Sequence, residues 1–176
     1  DYAASLTVTT SGRVFMAWNQ GVITVSTADN RKLQVASCAG SGCMDLNTWA
    51  SFTIGTIDEG TEGAFLEASG ESVALASVSE FDLNLRACDQ NCQLPASWSA
   101  GGVIDNAASM NQALPPDTGT SCSGSSQSAS WWPSSPSVGI SARGVVVVHN
   151  PYGIVKCPST VNPIRVPPIG RVISTF

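Results

Sequence analysis

Six cysteines constrain this chain more than any other feature of its sequence. They fall into three groups of two along the chain: Cys38 and Cys43, Cys88 and Cys92, and Cys122 and Cys157. The first two groups flank short turn-like segments, and the third brackets a stretch rich in serine, proline and tryptophan. An even number of cysteines at such spacings, with a single histidine, is typical of disulfides. The sequence therefore predicts a protein of the extracellular space or periplasm.

A zinc site is the alternative interpretation of the closely spaced cysteines, because clustered thiolates bind Zn²⁺. Cys38, Cys43, Cys88 and Cys92 would supply four sulfur ligands. Cysteine-rich chains in an oxidising compartment form disulfides instead, so we favour disulfides and predict neither a metal nor a cofactor. Which cysteine pairs with which stays open from the residues alone.

The composition is typical of an extracellular β-protein. Charged residues are 12% of the 176 residues, about half the usual share, and the sequence has no run of 18 apolar residues that could span a membrane. We predict one mainly β domain, an antiparallel β-sandwich of two sheets over residues 22–105 and 138–176. A short helix is expected within residues 5–20 and a long surface loop over residues 106–137.

The strand and helix predictions rest on different patterns. The apolar run at 144–148 predicts a central strand. The helix over residues 5–20 is predicted from the apolar surface that Val14, Met16 and Trp18 supply. The β-branched residues of that segment disfavour a helix, and a strand would also fit its first half.

Two tryptophans stand out in the predicted loop over residues 106–137. Trp131 and Trp132 are its only aromatic side chains. Neighbours on an extended chain point to opposite sides, so we predict that one of the two is exposed and available for a contact.

A weak internal similarity links residues 38–49 with residues 88–98. Both segments contain cysteine, cysteine and tryptophan in that order, and both follow an alternating strand. Two copies are too few to establish a repeat array. We interpret the segments as two hairpins that independently use a disulfide-bonded turn.

A search of the sequence for catalytic residues gives no convincing set. A Ser-His-Asp triad needs a serine on a nucleophile elbow, and no Gly-x-Ser-x-Gly motif occurs. His149, the single histidine, ends the apolar run at 144–148. We interpret it as a strand-end residue with satisfied hydrogen bonds, and we predict that the chain is not an enzyme.

Charge is divided unevenly along the chain. Residues 1–117 carry all 13 acidic residues and four of the eight basic ones, whereas residues 118–176 carry no acid. The four bases of the second segment are Arg143, Lys156, Arg165 and Arg171. A basic end on an acidic body could receive an anionic partner, and a chance imbalance among few charges is the alternative.

Several short motifs follow one another near the end of the chain: Ile140 to Gly144, a strand leading to Cys157, Ile164 to Val166, and Gly170 to Val172. In this order they resemble the end of the GspH/FimT family of minor pilins and pseudopilins. Residues 12–25 are similar to the end of the pilin helix where it enters the first strand, and residues 38–49 have the family's order of cysteine, cysteine and tryptophan. Residues 59–137 are longer and richer in cysteine than the family core.

The resemblance implies a fold and a role. It implies a helix leading into a β-sandwich, a disulfide between Cys122 and Cys157, and a hydrophobic N-terminal helix that this sequence lacks. That helix would anchor the subunit in the bacterial inner membrane before filament assembly. The implied role is a structural subunit at the tip of a type IV pilus-like filament or pseudopilus, with other minor and major pilins as partners.

Two other functions compete with that role. Some FimT-like pilins are thought to capture DNA through basic residues, here Arg143, Lys156, Arg165 and Arg171, although Ile173 stands where a second terminal arginine is expected. Backbone binding of this kind would weaken steeply with salt. The other alternative is a secreted adhesion or carbohydrate-binding β-sandwich that uses Trp131 and Trp132.

Overall fold

The computed structural model describes residues 4–20, 31–57, 63–79, 82–113, 128–133, 136–150, 152–156, 164–166 and 171–175. The strands of its first half are β1 (Ser5–Val8), β2 (Arg13–Gln20), β3 (Arg31–Ala39), β4 (Ala50–Ile57), β5 (Ala64–Ser69), β6 (Ser72–Ser79), β7 (Asp82–Cys88) and β8 (Gly102–Asn106). Helix α1 (Ala107–Ala113) is followed by β9 (Ser128–Trp132), β10 (Ser137–Ser141), β11 (Gly144–His149), β12 (Tyr152–Lys156), β13 (Ile164–Val166) and β14 (Arg171–Thr175).

In this described part of the chain the strands form four antiparallel sheets. The first sheet has the order β1-β2-β3-β4 and the second β5-β6-β7-β8, so both are simple meanders. The third sheet is β10-β11-β14 and the fourth is β13-β12-β9. The prediction of a mainly β, antiparallel fold is confirmed, and the apolar run at 144–148 does form the central strand of its sheet.

The predicted helix over residues 5–20 is wrong, because this segment forms the hairpin of β1 and β2. Phe15 and Ala17 are buried, whereas Val14 and Met16, which alternate with them along β2, are partly exposed. Alternation with period two belongs to a strand and not to a helix. Gly12 adopts a φ of 79° between the strands, a conformation that glycine reaches without strain and that reverses the chain.

The core residues show that the second sheet lies between the first sheet and the third. Phe15 and Val35 of the first sheet pack against Val73 and Leu75 of β6. The side chains on the other face of β6 pack against Val147 of the third sheet. Strand β6 is therefore buried on both faces, which explains its run of small and β-branched residues. Each large aliphatic side chain buried in these layers contributes roughly 1.5–3 kcal/mol.

Part of the segment predicted as a surface loop, residues 106–137, has regular structure. The side-chain oxygen of Asn106 accepts a hydrogen bond of 2.8 Å from the backbone N–H of Ser109, which is the interaction that begins a helix. Met110 of α1 is fully buried. Strand β9 pairs with β12, and residues 114–127 of the predicted loop lie outside the described residues.

Candidate docking surface

Two disulfides are present among the described residues, between Cys38 and Cys43 and between Cys88 and Cys92. The disulfide prediction is thus confirmed for these four cysteines, and the four-cysteine zinc site is excluded. Cys122 and Cys157 lie outside the described residues, so the pairing implied for them stays a prediction.

Each disulfide belongs to a larger unit that ends in a tryptophan. The indole Nε1–H of Trp49 donates to the carbonyl oxygen of Cys43 at 3.2 Å, and that of Trp98 donates to the carbonyl oxygen of Cys92 at 2.8 Å. We call these units the first module (residues 38–49) and the second module (residues 88–98).

The modules occupy equivalent places in the two meanders. Each follows the third strand of its sheet and precedes the fourth. Cys38 lies opposite Val14 of β2, and Cys88 lies opposite Val73 of β6. The similarity therefore extends over two whole four-stranded sheets, which is more than two independent hairpins require.

The equivalent cysteines lie in different surroundings. Cys88, Cys92 and Trp98 belong to the core between the first and second sheets. Cys38 shares a face of the first sheet with Val14, and this face points away from that core because the alternate residue Phe15 points into it. The first module is folded over the outer face of the first sheet.

That outer face carries a contiguous row of apolar side chains. Leu6 lies opposite Met16, and Val8 lies opposite Val14. Leu6 is 59% exposed and Val8 52% exposed, while the side chains on β2 are partly exposed. We define the first-sheet patch as Leu6, Val8, Val14, Met16 and Trp18. Antiparallel sheets that face water on one side normally place polar residues there, so this patch departs from the pattern of a solvated face.

Two further apolar side chains project from the first module. Met44 is 93% exposed and Leu46 87% exposed. Their segment is held by hydrogen bonds from the backbone N–H of Asn47 to Asp45 Oδ1 at 2.9 Å and from Thr48 Oγ1 to the carbonyl oxygen of Asp45 at 2.7 Å. The exposed side chains thus stand on a bonded turn tied down by a disulfide.

Arg86 lies between the segment that follows the second module and β4 of the first sheet. Its Nη1 donates to the carbonyl oxygens of Ser99 at 3.2 Å and Ala100 at 2.6 Å. A Cβ atom added at Gly55 of β4 or at Gly101 would lie 2.7 Å from the guanidinium, so these two glycines make room for it. Burial lowers the pKa of Arg86 below its usual value.

His149 is placed as the sequence indicated, at the end of β11. It is buried, and its Nε2 lies 2.9 Å from Oδ2 of Asp105 on β8. The pair connects the second and third sheets. Its side chains are 0% and 1% exposed.

The four bases of the C-terminal segment are divided between the third and fourth sheets. Arg143 lies in the turn before β11, and Arg171 lies opposite His149 at the far end of that strand. Five residues of strand separate these ends by roughly 17 Å. Lys156 and Arg165 belong to the fourth sheet. DNA capture through all four stays a prediction.

Trp131 and Trp132 lie in β9, opposite Gly153 and Tyr152 of β12. The structure describes their backbone pairing only, so the predicted exposure of one of them stays a prediction. Sequence reasoning missed the strand itself, although two adjacent tryptophans after serine and alanine are suited to a strand.

Neither a membrane span nor a metal centre emerges from the described residues. No helix among them is long and apolar enough to cross a bilayer, and no three His, Cys, Asp or Glu residues are grouped so as to hold a metal ion. The two disulfides are compatible with an extracellular or periplasmic location. Comparison of the chain with protein-family models, curated proteins and solved structures finds no match in any of the three.

Proposed function

We propose that this chain is an assembly subunit of an extracellular filament, a minor pilin or pseudopilin, and that it acts through protein–protein contacts made by the first-sheet patch. The exposure of Leu6 and Val8 beside their apolar partners on β2 is the observation that carries the proposal. Monomeric proteins rarely expose a contiguous apolar surface without a partner for it.

The second sheet indicates what kind of surface the patch would bind. Leu66 lies opposite Leu75 as Leu6 lies opposite Met16, so these are equivalent positions in the two meanders. In the second sheet they are 6% and 0% exposed, because the first sheet covers them. By this equivalence, the natural partner of the patch is a flat apolar face of another β-sheet, packed about 10 Å away.

The proposal that this subunit is a minor pilin or pseudopilin rests on the motifs near the end of the chain. Ile140 to Gly144 forms the end of β10 and its turn into β11, and Ile164 to Val166 forms β13. The segments that resemble the GspH/FimT family thus lie within the third and fourth sheets. In this proposal a hydrophobic N-terminal helix anchors the subunit in the inner membrane, and the partners are other pilins.

Site-specific photo-cross-linking in the cells that produce the chain tests the proposal. A benzophenone amino acid replaces Leu6 in one strain and the exposed Glu67 of β5 in a control strain. Adducts formed only from position 6, with partners identified by mass spectrometry as subunits bearing a prepilin-type helix, are expected. Adducts at both positions, no adduct, or a partner without that helix would contradict the proposal.

A further inference from the structure

A polar cleft lies on the opposite side of the β1–β2 turn from the first module. Its lining is entirely polar and comprises Ser11, Arg13, Glu71, Gln90, Asn91 and Gln93, around a volume of about 360 Å³. Three segments meet there: the β1–β2 turn, the β5–β6 turn and the Cys88–Cys92 loop. Four of the six lining residues are exposed, so the cleft is open to solvent and would cover one side of a small ligand.

Hydrogen bonds between the two turns fix one wall of the cleft. The backbone N–H of Ser11 donates to Oε1 of Glu71 at 2.8 Å, and its hydroxyl donates to Oε2 at 2.9 Å. The backbone N–H of Thr10 donates to the carbonyl oxygen of Gly70 at 2.9 Å. Each carboxylate oxygen of Glu71 retains a further lone pair for a ligand, since a carboxylate has about four acceptor positions.

The disulfide loop fixes the other wall. Asn91 has a φ of 57°, and its carbonyl oxygen accepts the backbone N–H of Leu94 at 2.9 Å. Within the described residues, the side chains of Arg13, Gln90, Asn91 and Gln93 make no hydrogen bond or ion pair. The backbone beneath these side chains is braced, whereas each side chain that closes on a ligand loses rotamer freedom, so we expect weak binding.

The second module does not need the side-chain amides of the cleft in order to form its disulfide-bonded turn. The first module forms the same bond between tryptophan and cysteine carbonyl with Ala39, Gly40, Ser41 and Gly42 between its cysteines. The second module has Asp89, Gln90 and Asn91 at the corresponding places. The disulfide-bonded turn and its tryptophan bond therefore form with a glycine-rich loop of four residues as well as with an amide-containing loop of three.

From this lining we infer that the cleft binds a neutral saccharide. Each amide offers both donors and acceptors, Arg13 adds donors and Glu71 adds acceptors, which matches the alternating hydroxyl groups of a sugar. One positive and one negative side chain leave the cleft near neutrality, which disfavours phosphates and nucleic acids. An all-polar lining offers no subsite for the apolar side chains of a peptide. This site is independent of the first-sheet patch and of the proposed filament role.

Amide chemical shifts measured by NMR on the ¹⁵N-labelled chain test the inference. The probes are galactose, mannose, glucose, N-acetylglucosamine and N-acetylgalactosamine, with N-acetylneuraminic acid, inorganic phosphate and triglycine as competitors of other classes. At least one neutral sugar is expected to shift residues 11–13, 70–71 and 89–93, with a Kd of about 1–20 mM. No shift with any of the five at about 50 mM, shifts elsewhere, or a preference for phosphate or triglycine would overturn the inference.

Matched variants separate binding from folding. The double variant Gln90→Ala/Gln93→Ala is expected to weaken the sugar at least about tenfold, and Asn91→Gly, which keeps the positive φ, to weaken it severalfold. Asn47→Ala removes an exposed amide from the first module and is expected to leave the Kd unchanged. The indole N–H signal of Trp98 reports the integrity of the loop. Equal affinity in the double variant and the parent, with that signal unchanged, would overturn the assignment of the cleft.

Discussion

The two modules have the same local structure and opposite environments. In both, a disulfide closes a short loop after the third strand of a meander, and a tryptophan donates to the carbonyl oxygen of the second cysteine. The first cysteine of each module, Cys38 or Cys88, is buried, so the difference begins at the second cysteine. Cys92 and Trp98 are 2% and 7% exposed, whereas Cys43 and Trp49 are partly exposed and Met44 beside them is 93% exposed. The difference lies in what covers each face: the first sheet covers the second module, and no described residue covers the first-sheet patch in the same way.

Removing the disulfides should give the largest changes in the free energy of unfolding, with the larger of the two in the second module. Closing loops this short stabilises the fold by about 2 kcal/mol in each module by the chain-entropy model. The Cys88→Ala/Cys92→Ala variant also leaves a cavity in the core, so we expect a total loss of about 4 kcal/mol. The Cys38→Ala/Cys43→Ala variant should lose about 3 kcal/mol, because only one of its two cysteines, Cys38, is buried. Urea denaturation of both variants measures this, and equal losses would remove the distinction between the modules.

Loss of the tryptophan hydrogen bond should also destabilise the second module more than the first, with smaller changes in the free energy of unfolding. Trp98→Phe leaves the carbonyl oxygen of Cys92 buried without its donor and is expected to cost about 3 kcal/mol. Trp49→Phe exposes the carbonyl of Cys43 to water, which replaces the donor, so about 1 kcal/mol is expected. Thermal unfolding of the two variants gives the comparison. A larger loss from Trp49→Phe would mean that the first module is the better packed one.

Two glycines of positive φ, one near each module, are expected to differ in the stability that an alanine substitution costs. Gly101→Ala places a Cβ against Arg86 as well as straining the backbone, and about 2 kcal/mol is expected. Gly12→Ala meets open space and should cost about 1 kcal/mol, from the backbone alone. In an Arg86→Ala background the cost of Gly101→Ala should fall to that of Gly12→Ala. A double-mutant cycle that shows no coupling would place the strain elsewhere.

The exposed tip of the first module should contribute least to stability. Met44→Ser/Leu46→Ser removes two side chains that are almost fully solvated, so the free energy of unfolding should change by less than about 0.5 kcal/mol. Equilibrium unfolding in urea tests this, with Leu75→Ala, at a fully buried position, as the contrasting variant. A loss above about 1 kcal/mol would show that the tip packs against the body of the domain.

Several features could be predicted from the sequence because their causes are local. Cysteine spacing and the apolar run at 144–148 gave the disulfide-bonded, antiparallel β fold. The hairpin of β1 and β2 was also within reach, since Val14, Met16 and Trp18 recur with period two. Their apolar character outweighed that period in the helix prediction, and Gly12 was not recognised as the turn.

The remaining features depend on contacts that are distant in sequence. Asp105 lies 44 residues from His149, and nothing local to either residue indicates the other. The two modules have nearly the same pattern, so the pattern cannot tell which one is covered. The cleft is built from three turns that come together only after the sheets have packed, and its amides resemble ordinary surface residues in the sequence.

The relative accessibility of the two disulfides tests the account most directly. The native chain is treated with a graded series of phosphine reductant, new thiols are alkylated, and the labelled cysteines are identified by peptide mass spectrometry. The account predicts that Cys38 and Cys43 are labelled at low reductant in the folded protein, whereas Cys88 and Cys92 are labelled only after denaturant is added. Labelling of all four together, or of Cys88 and Cys92 first, would contradict it.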